Sequence, residues 1–165
     1  MWSSESSQSS QIVSVPIGRW GVAAAPVQIR TLLGSCAGVV LYDRAAKIGG
    51  VAHIVLPHSR GILDQPGKYA DTAIPAMIGD LERLLGRSSK GRLSSKITGG
   101  ASMFPTGATT NIGRMNVEAV ESILNALGIP VLARDVGGES GRRVTLDTQS
   151  GMVSIRTPAG VDSRI

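Results

Sequence analysis

Two short apolar runs, Ala37-Gly-Val-Val-Leu-Tyr42 and Val51-Ala-His-Ile-Val-Leu-Pro57, flank the segment Asp43-Arg-Ala-Ala-Lys-Ile-Gly-Gly50. Each run has the length of a strand, and if the segment between them reverses the chain the two pair antiparallel. No other feature constrains the fold as much, because this pairing brings Cys36, at the head of the first run, near His53 inside the second. Cys36 closes the stretch Thr31-Leu-Leu-Gly-Ser-Cys36 and is the chain's single cysteine. A thiol beside an imidazole is the minimum equipment of a cysteine nucleophile with a histidine base.

At 165 residues the chain suits one domain with its own core. Hydrophobic residues make up 42% and aromatics only 3%, so Val, Ile, Leu and Ala must fill the interior while glycine supplies turns. No run approaches the ~20 apolar residues of a membrane span, and the N-terminus lacks the basic-then-apolar layout of a signal peptide. A cytoplasmic protein without membrane insertion is expected. One cysteine cannot form an internal disulfide, and in the cytosol it stays reduced. With two histidines and one cysteine there is no zinc constellation, and no GxxxxGK[ST] phosphate loop occurs, so no metal and no cofactor is expected.

The formal charge is +5, with a basic cluster at Arg83, Arg87, Lys90, Arg92 and Lys96. Five aromatics in the whole chain and no recognition motif argue against nucleic acid. The cluster reads first as a solvated helix end and loop, and second as a contact for an acidic protein.

Residues 1–10 are serine-rich and read as a disordered leader, 11–157 as the domain, and 158–165 as a C-terminal tail. Strands are expected at 11–16 and 27–33 and at the two runs carrying Cys36 and His53, so four strands precede any helix. The first helix starts at Asp71 as N-cap, places Ile74, Ile78, Leu81 and Leu85 on one face and stops at Gly86. Pro75 falls in its first turn, where its missing N–H is not needed. A strand at 96–98 and a loop at 99–107 lead to a second helix over 112–127, stopped by Gly128. Residues 129–136 read as a strand, and 142–147 pairs with 152–157 across Thr148-Gln-Ser-Gly151. Strands that seldom alternate with helices argue an α/β domain with a mixed or antiparallel sheet and two main helices.

A thiol with an ordinary pKa of ~8.5 is only a few percent thiolate at neutral pH, so hydrolytic use needs a neighbouring base. His53, in the middle of an apolar strand, is the better candidate; burying it is costly unless a partner satisfies its ring. The plainer alternative for it is a hydrogen-bonded core histidine. His58, after Pro57 in a polar stretch, reads as an exposed loop residue. A lone buried cysteine is most often a small hydrophobe. Here Gly34 and Ser35 surround it with small residues, leaving room for a substrate side chain and for backbone N–H groups aimed at an oxyanion. Gly99-Gly100 and Gly137-Gly138 read as turn residues first and as places of close approach to a substrate backbone second.

These residues resemble the chemoreceptor glutamine deamidases of the CheD family, whose signature reads T…LGSC followed by GG-x-x-H-x-x-LP. Further pieces match in order: Tyr69 to Pro75, Lys96 to Phe104, Asn111 to Gly113 with Asn116-Val117, Asp135 to Gly138, and Gly141-Arg142. The resemblance spans roughly residues 27–156. It implies a single-domain, three-layer α/β/β sandwich, with Cys36 as nucleophile, His53 as base and Thr31 orienting the imidazole. It also implies hydrolysis of receptor glutamines to glutamate through a thioester, with no cofactor; the enzyme reading extends to methylesterase activity on the same sites, since both reactions pass through an acyl-enzyme. The implied partners are the chemoreceptor cytoplasmic region and a CheC-type phosphatase. A binding module acting on that phosphatase and a deamidase of another protein are the competing readings.

Overall fold

The computed structural model describes residues 11–103 and 111–165; the expected leader and residues 104–107 of the expected loop lie outside the described residues. One mixed sheet has the order β1 (Ile12–Ser14), β3 (Gln28–Leu33), β8 (Arg142–Asp147), β9 (Val153–Arg156), β10 (Asp162–Arg164). A second has the order β2 (Trp20–Ala24), β5 (Ile48–Ile54), β4 (Ala37–Asp43), β6 (Leu93–Gly99), β7 (Val131–Val136). Only β1–β3 and β6–β7 are parallel; the other pairs are antiparallel. The helices α1 (Ala70–Leu85) and α2 (Ile112–Ala126) cover one face of the second sheet, and the first sheet covers its other face. The α/β/β layering expected from the resemblance is the layering found.

Strands β4 and β5 are buried along their whole length, because helices lie on one side of them and a sheet on the other. That is why both read as nearly unbroken apolar runs. Toward the helices, Val39, Leu41, Ala52 and Ile54 pack with Ile74, Met77, Leu81 and Leu124. Toward the other sheet, Val40 and Val51 meet Ile29, Val144, Leu146 and Ile155.

The β4–β5 hairpin forms, with a shorter reversal than expected: Asp43 already pairs with Ile48, and β5 ends at Ile54. Gly49 and Gly50, read as part of the turn, are strand residues. A Cβ on Gly50 would lie 2.9 Å from both Met77 Sδ and Val22 Cγ1, so these glycines let neighbouring layers approach. Five strands, not four, precede α1. The missed one, β2, is made largely of small residues and exists through its pairing with β5 and the Trp20 Nε1–Asp80 Oδ2 hydrogen bond of 2.8 Å.

Asp71 is not the N-cap of α1; that position is Tyr69, and the Asp71 carboxylate instead accepts from Ser59 N (2.9 Å) and Oγ (3.0 Å). Gly86, in the left-handed region at φ +68°, ends α1 as expected. Asn111 caps α2 by accepting from Arg114 N at 3.0 Å. Strand β6 is longer than the three residues expected because Ser94 and Ser95 disguise it; Ser95 Oγ donates to Pro130 O at 2.9 Å. Strand β10 lies within the segment read as a tail.

The basic cluster is not one surface. Arg83 pairs with Asp80, Arg92 Nε with Asp43 at 2.7 Å, and Lys96 Nζ donates to the carbonyls of Gly151 (3.1 Å) and Ile165 (2.6 Å). Arg83, Arg87 and Lys90 are exposed, which fits the solvated-face reading for those three alone. No described helix is long and apolar enough to cross a membrane.

Candidate active site

Cys36 is the residue immediately before β4, reached through the bend at Gly34-Ser35. Register pairs Gly38 with His53. Because side chains alternate along a strand, Cys36, Gly38 and Val40 share a face, and His53 sits diagonally across from Cys36 on that same face. The face looks toward the β1–β3–β8–β9–β10 sheet, from which Thr31 on β3 points inward. Gly38 leaves space for the facing sheet: a Cβ there would lie 2.6 Å from Leu33 Cδ1.

Thr31 Oγ1 stands 2.7 Å from His53 Nδ1 and donates its proton to Val15 O at 2.9 Å. A hydroxyl has one proton to give, so Oγ1 must accept from Nδ1–H, and the neutral ring carries its lone pair on Nε2. Among the described residues nothing hydrogen-bonds Nε2. Thr31, Gly34, Ser35, Cys36 and His53 all line one cavity of about 580 Å³, together with Arg30, Met103 and Arg143. All five sequence-predicted site residues are thus brought together, whereas His58 is exposed and outside it.

Burial lowers the His53 pKa to about 4 and pushes the Cys36 thiol above its usual value. Both groups are therefore neutral near pH 7. The resting site holds thiol and imidazole, not a thiolate–imidazolium pair.

The loop carrying Cys36 is held entirely by its carbonyls. Gly34 O accepts from Ala101 N (3.0 Å), Ser35 O from Asn116 Nδ2 (3.4 Å) and Cys36 O from Gly100 N (2.9 Å). No described residue accepts from the N–H of Ser35 or Cys36. Among the described residues, no three His, Cys, Asp or Glu side chains gather where they could hold a metal ion.

The sequence profile described as CheD chemotactic sensory transduction matches residues 55–157. The chain is also 44% identical over 148 residues to the "Probable chemoreceptor glutamine deamidase CheD" of Methanococcus maripaludis, covering 88% of this chain and 95% of that one.

This chain belongs to the CheD family.

It is 46% identical to the protein of the same name from Geobacillus kaustophilus, covering 90% of this chain and 94% of the other. To the "Chemoreceptor glutamine deamidase CheD" of Thermotoga maritima it is 43% identical, covering 88% and 92%. Among solved structures it aligns with the Bacillus licheniformis hypothetical protein YfiH at TM-score 0.45 and 12% identity, over 76% of this chain and 58% of that one.

Two supports of the cysteine loop in this CheD site were not read as such in the sequence: Asn116 had no role there, and Gly99-Gly100 was read first as a turn and second as a close approach to a substrate backbone. Asn116 on α2 is fully buried and donates Nδ2 to both Ser35 O and, at 2.9 Å, Val55 O, tying the cysteine loop to the chain just beyond His53. Gly99 has φ +89°, and a Cβ there would lie 2.4 Å from Cys36 O. Gly99-Gly100 is therefore more than a turn: it lets the chain leaving β6 close on the back of the cysteine loop. A buried Asn following an Asn-Ile-Gly helix start was the available signal for the first, and a paired glycine directly after a strand for the second.

Proposed function

We propose that this CheD-family chain hydrolyses glutamine side chains of chemoreceptor cytoplasmic regions to glutamate, working in the cytoplasm with Cys36 as nucleophile. The observation that carries the reading is the 2.7 Å Thr31 Oγ1–His53 Nδ1 contact, which leaves a lone pair on Nε2 in the cavity of the thiol. An ordinary core histidine would have both nitrogens satisfied.

In this reading Cys36 Sγ attacks the carboxamide carbon while His53 Nε2 takes the thiol proton. The C–O π bond opens onto an oxyanion, which this reading assigns to the Ser35 and Cys36 amides because they have no acceptor among the described residues. Collapse expels the nitrogen, which takes the proton from His53 and leaves as ammonia, giving a thioester. Water then attacks the thioester carbon and gives a proton to His53, the C–S bond breaks, and the proton returns to sulfur. Thr31 holds the ring throughout and stabilises the imidazolium formed at each step. Glutamate and ammonia are the products, and no cofactor enters the balance.

The test is mass spectrometry of a recombinant receptor cytoplasmic fragment incubated with the protein, which should gain the mass of an NH2-to-OH exchange at discrete glutamines. Unchanged mass with the parent protein, or equal gain with Cys36→Ala, would overturn the reading.

A further inference from the structure

Along the β1–β3–β8–β9–β10 sheet, the inward face takes Ile29, Thr31, Leu33, Val144, Leu146 and Ile155, so alternation sends Arg30, Leu32, Arg143 and Arg156 outward. Register lines up Leu32, Arg143 and Arg156 in one row across β3, β8 and β9, and places Arg30 and Arg164 in the next row. Acidic residues on these five strands are only Asp147 and Asp162. Arg156 meets Asp162 at 3.6 Å with both side chains largely exposed, while Arg30, Arg143 and Arg164 have no carboxylate partner among the described residues. Arg142, next in sequence but pointing inward, is spent differently: it pairs with Asp135 at 2.5 Å.

This arginine face runs into the catalytic cleft. Arg30 and Arg143 line the Cys36 cavity itself. A second cavity, of about 640 Å³, shares Leu32, Gly34, Met103 and Arg143 with it and continues to Arg156 and Pro158. Apolar side chains stand exposed at the junction: Ile17 at 64%, Leu32 at 63% and Met103 at 44%. Arg83, Arg87 and Lys90 line neither cavity; Arg92 and Leu93, which follow them, meet Asp43 at the opposite end of β4, about 23 Å along the strand from Cys36.

Resting on the deamidase reading, we infer that the outer face of this sheet is the docking surface for the polypeptide around the target glutamine, and that it selects a segment with carboxylates flanking an apolar contact. Leu32 and Met103 take the apolar contact while Arg30, Arg143 and Arg156 take the carboxylates, steering the glutamine into the cleft. The strands of this face carry no aromatic side chain on which a nucleic-acid base could stack, which favours an acidic protein segment.

The test separates docking from chemistry. Two labelled helical peptides are compared, each with one central glutamine and a neighbouring leucine; one carries glutamates a turn to either side, and in the other these are alanines. Fluorescence anisotropy with Cys36→Ala protein should show the acidic peptide binding about tenfold tighter at low ionic strength. The advantage should vanish at about 0.5 M salt. Combining Arg143→Glu with Arg156→Glu should invert it in favour of a lysine-flanked peptide; Arg156→Gln with Arg164→Gln, expected to shrink the advantage, serves if the reversal disturbs folding.

Equal binding of the two peptides would overturn the proposal. So would a preference untouched by these variants, or tighter binding to phosphatidylserine vesicles or a single-stranded oligonucleotide than to the acidic peptide. Mass analysis with the unaltered protein reads the chemistry separately. Selective binding without deamidation removes the enzymatic reading and leaves the docking surface, whereas deamidation of both peptides at equal kcat/KM removes the docking surface alone.

Discussion

At the far end of β4, Asp43 is 1% exposed and its carboxylate is fully engaged, accepting from Ala46 N at 3.0 Å and from Arg92 Nε at 2.7 Å. Burial by itself would raise its pKa, but the Ala46 N–H and the Arg92 guanidinium hold it below the ordinary carboxylate value. At the near end, Cys36 and His53 are buried as well, yet Nε2 and the Ser35 and Cys36 amides find no partner among the described residues, and a cavity of about 580 Å³ adjoins them. One strand thus carries a saturated polar end and an unsaturated one. Saturation holds a turn in place; leaving donors and a lone pair unfilled costs stability, and in the deamidase reading proposed above keeps them for a substrate.

The sharpest way to break that contrast is to exchange the expected consequences. Cys36→Ala should abolish deamidation, by on the order of 10³-fold or more, with thermal unfolding nearly unchanged, since a small side chain replaces a small one. Asp43→Ala should do the reverse, costing about 2–3 kcal/mol in denaturant unfolding while the folded fraction keeps its kcat/KM. A Cys36→Ala protein that unfolds early, or an Asp43→Ala protein that folds normally and is inactive, would dissolve the distinction.

Within the unsaturated end, Thr31→Val removes the acceptor for Nδ1–H and should lower kcat on the order of a hundredfold, with KM little changed. Thr31→Ser should restore most of it. Failure of serine to rescue would make Thr31 a packing residue only.

Acid should separate the two ends by pH window. His53 titrates near 4 when folded and near 6.5 when free, so between those values the unfolded chain binds the extra proton. Stability from this group is complete above about pH 6.5 and is lost as pH falls toward 4, by about 3 kcal/mol. Asp43 has a folded pKa below 3.8, so its contribution is present above that value and is lost only as pH falls further. Unfolding free energies measured from pH 7 to 3 should show the first loss and not the second in Asp43→Ala, and the second without the first in His53→Gln. A single acid transition, unchanged by His53→Gln, would refute the assignment.

The smallest effects are expected away from both ends. His58→Ala and Arg87→Glu should each stay within about twofold in kcat/KM, since both residues are exposed and neither lines the cavity. A larger rise in KM for Arg87→Glu would return the search for a docking surface to the end of α1.

The hairpin that presents Cys36 and His53 was legible because a strand's two-residue period decides by itself which side chains share a face, and a small register error leaves that parity readable. Helix α2 was legible through its apolar spacing and Gly128. The element the pattern missed, β2, has no β-branched run to announce it, and its partner β5 supplies the reason it is a strand. Gly49 and Gly50 misled in the opposite direction: paired glycines suggest a turn, but here they admit Leu146 and Met77 from the layers above and below.

What the sequence by itself determined is local: the two apolar runs, the thiol and imidazole on one face, the stops of both helices, and the family to which their order belongs. Tertiary structure alone decided that Thr31 reaches His53 from the opposite sheet, that Asn116 and Gly100 hold the cysteine loop by its carbonyls, and that Arg83 and Arg92 are spent in pairs while Arg30 and Arg143 border the cleft. The reason is one of range. Periodicity and capping act over a few residues, whereas the partner of a buried hydroxyl or a charged side chain is chosen by how two sheets and a helix layer stack, and nothing in the spacing of neighbours along the chain encodes that distance.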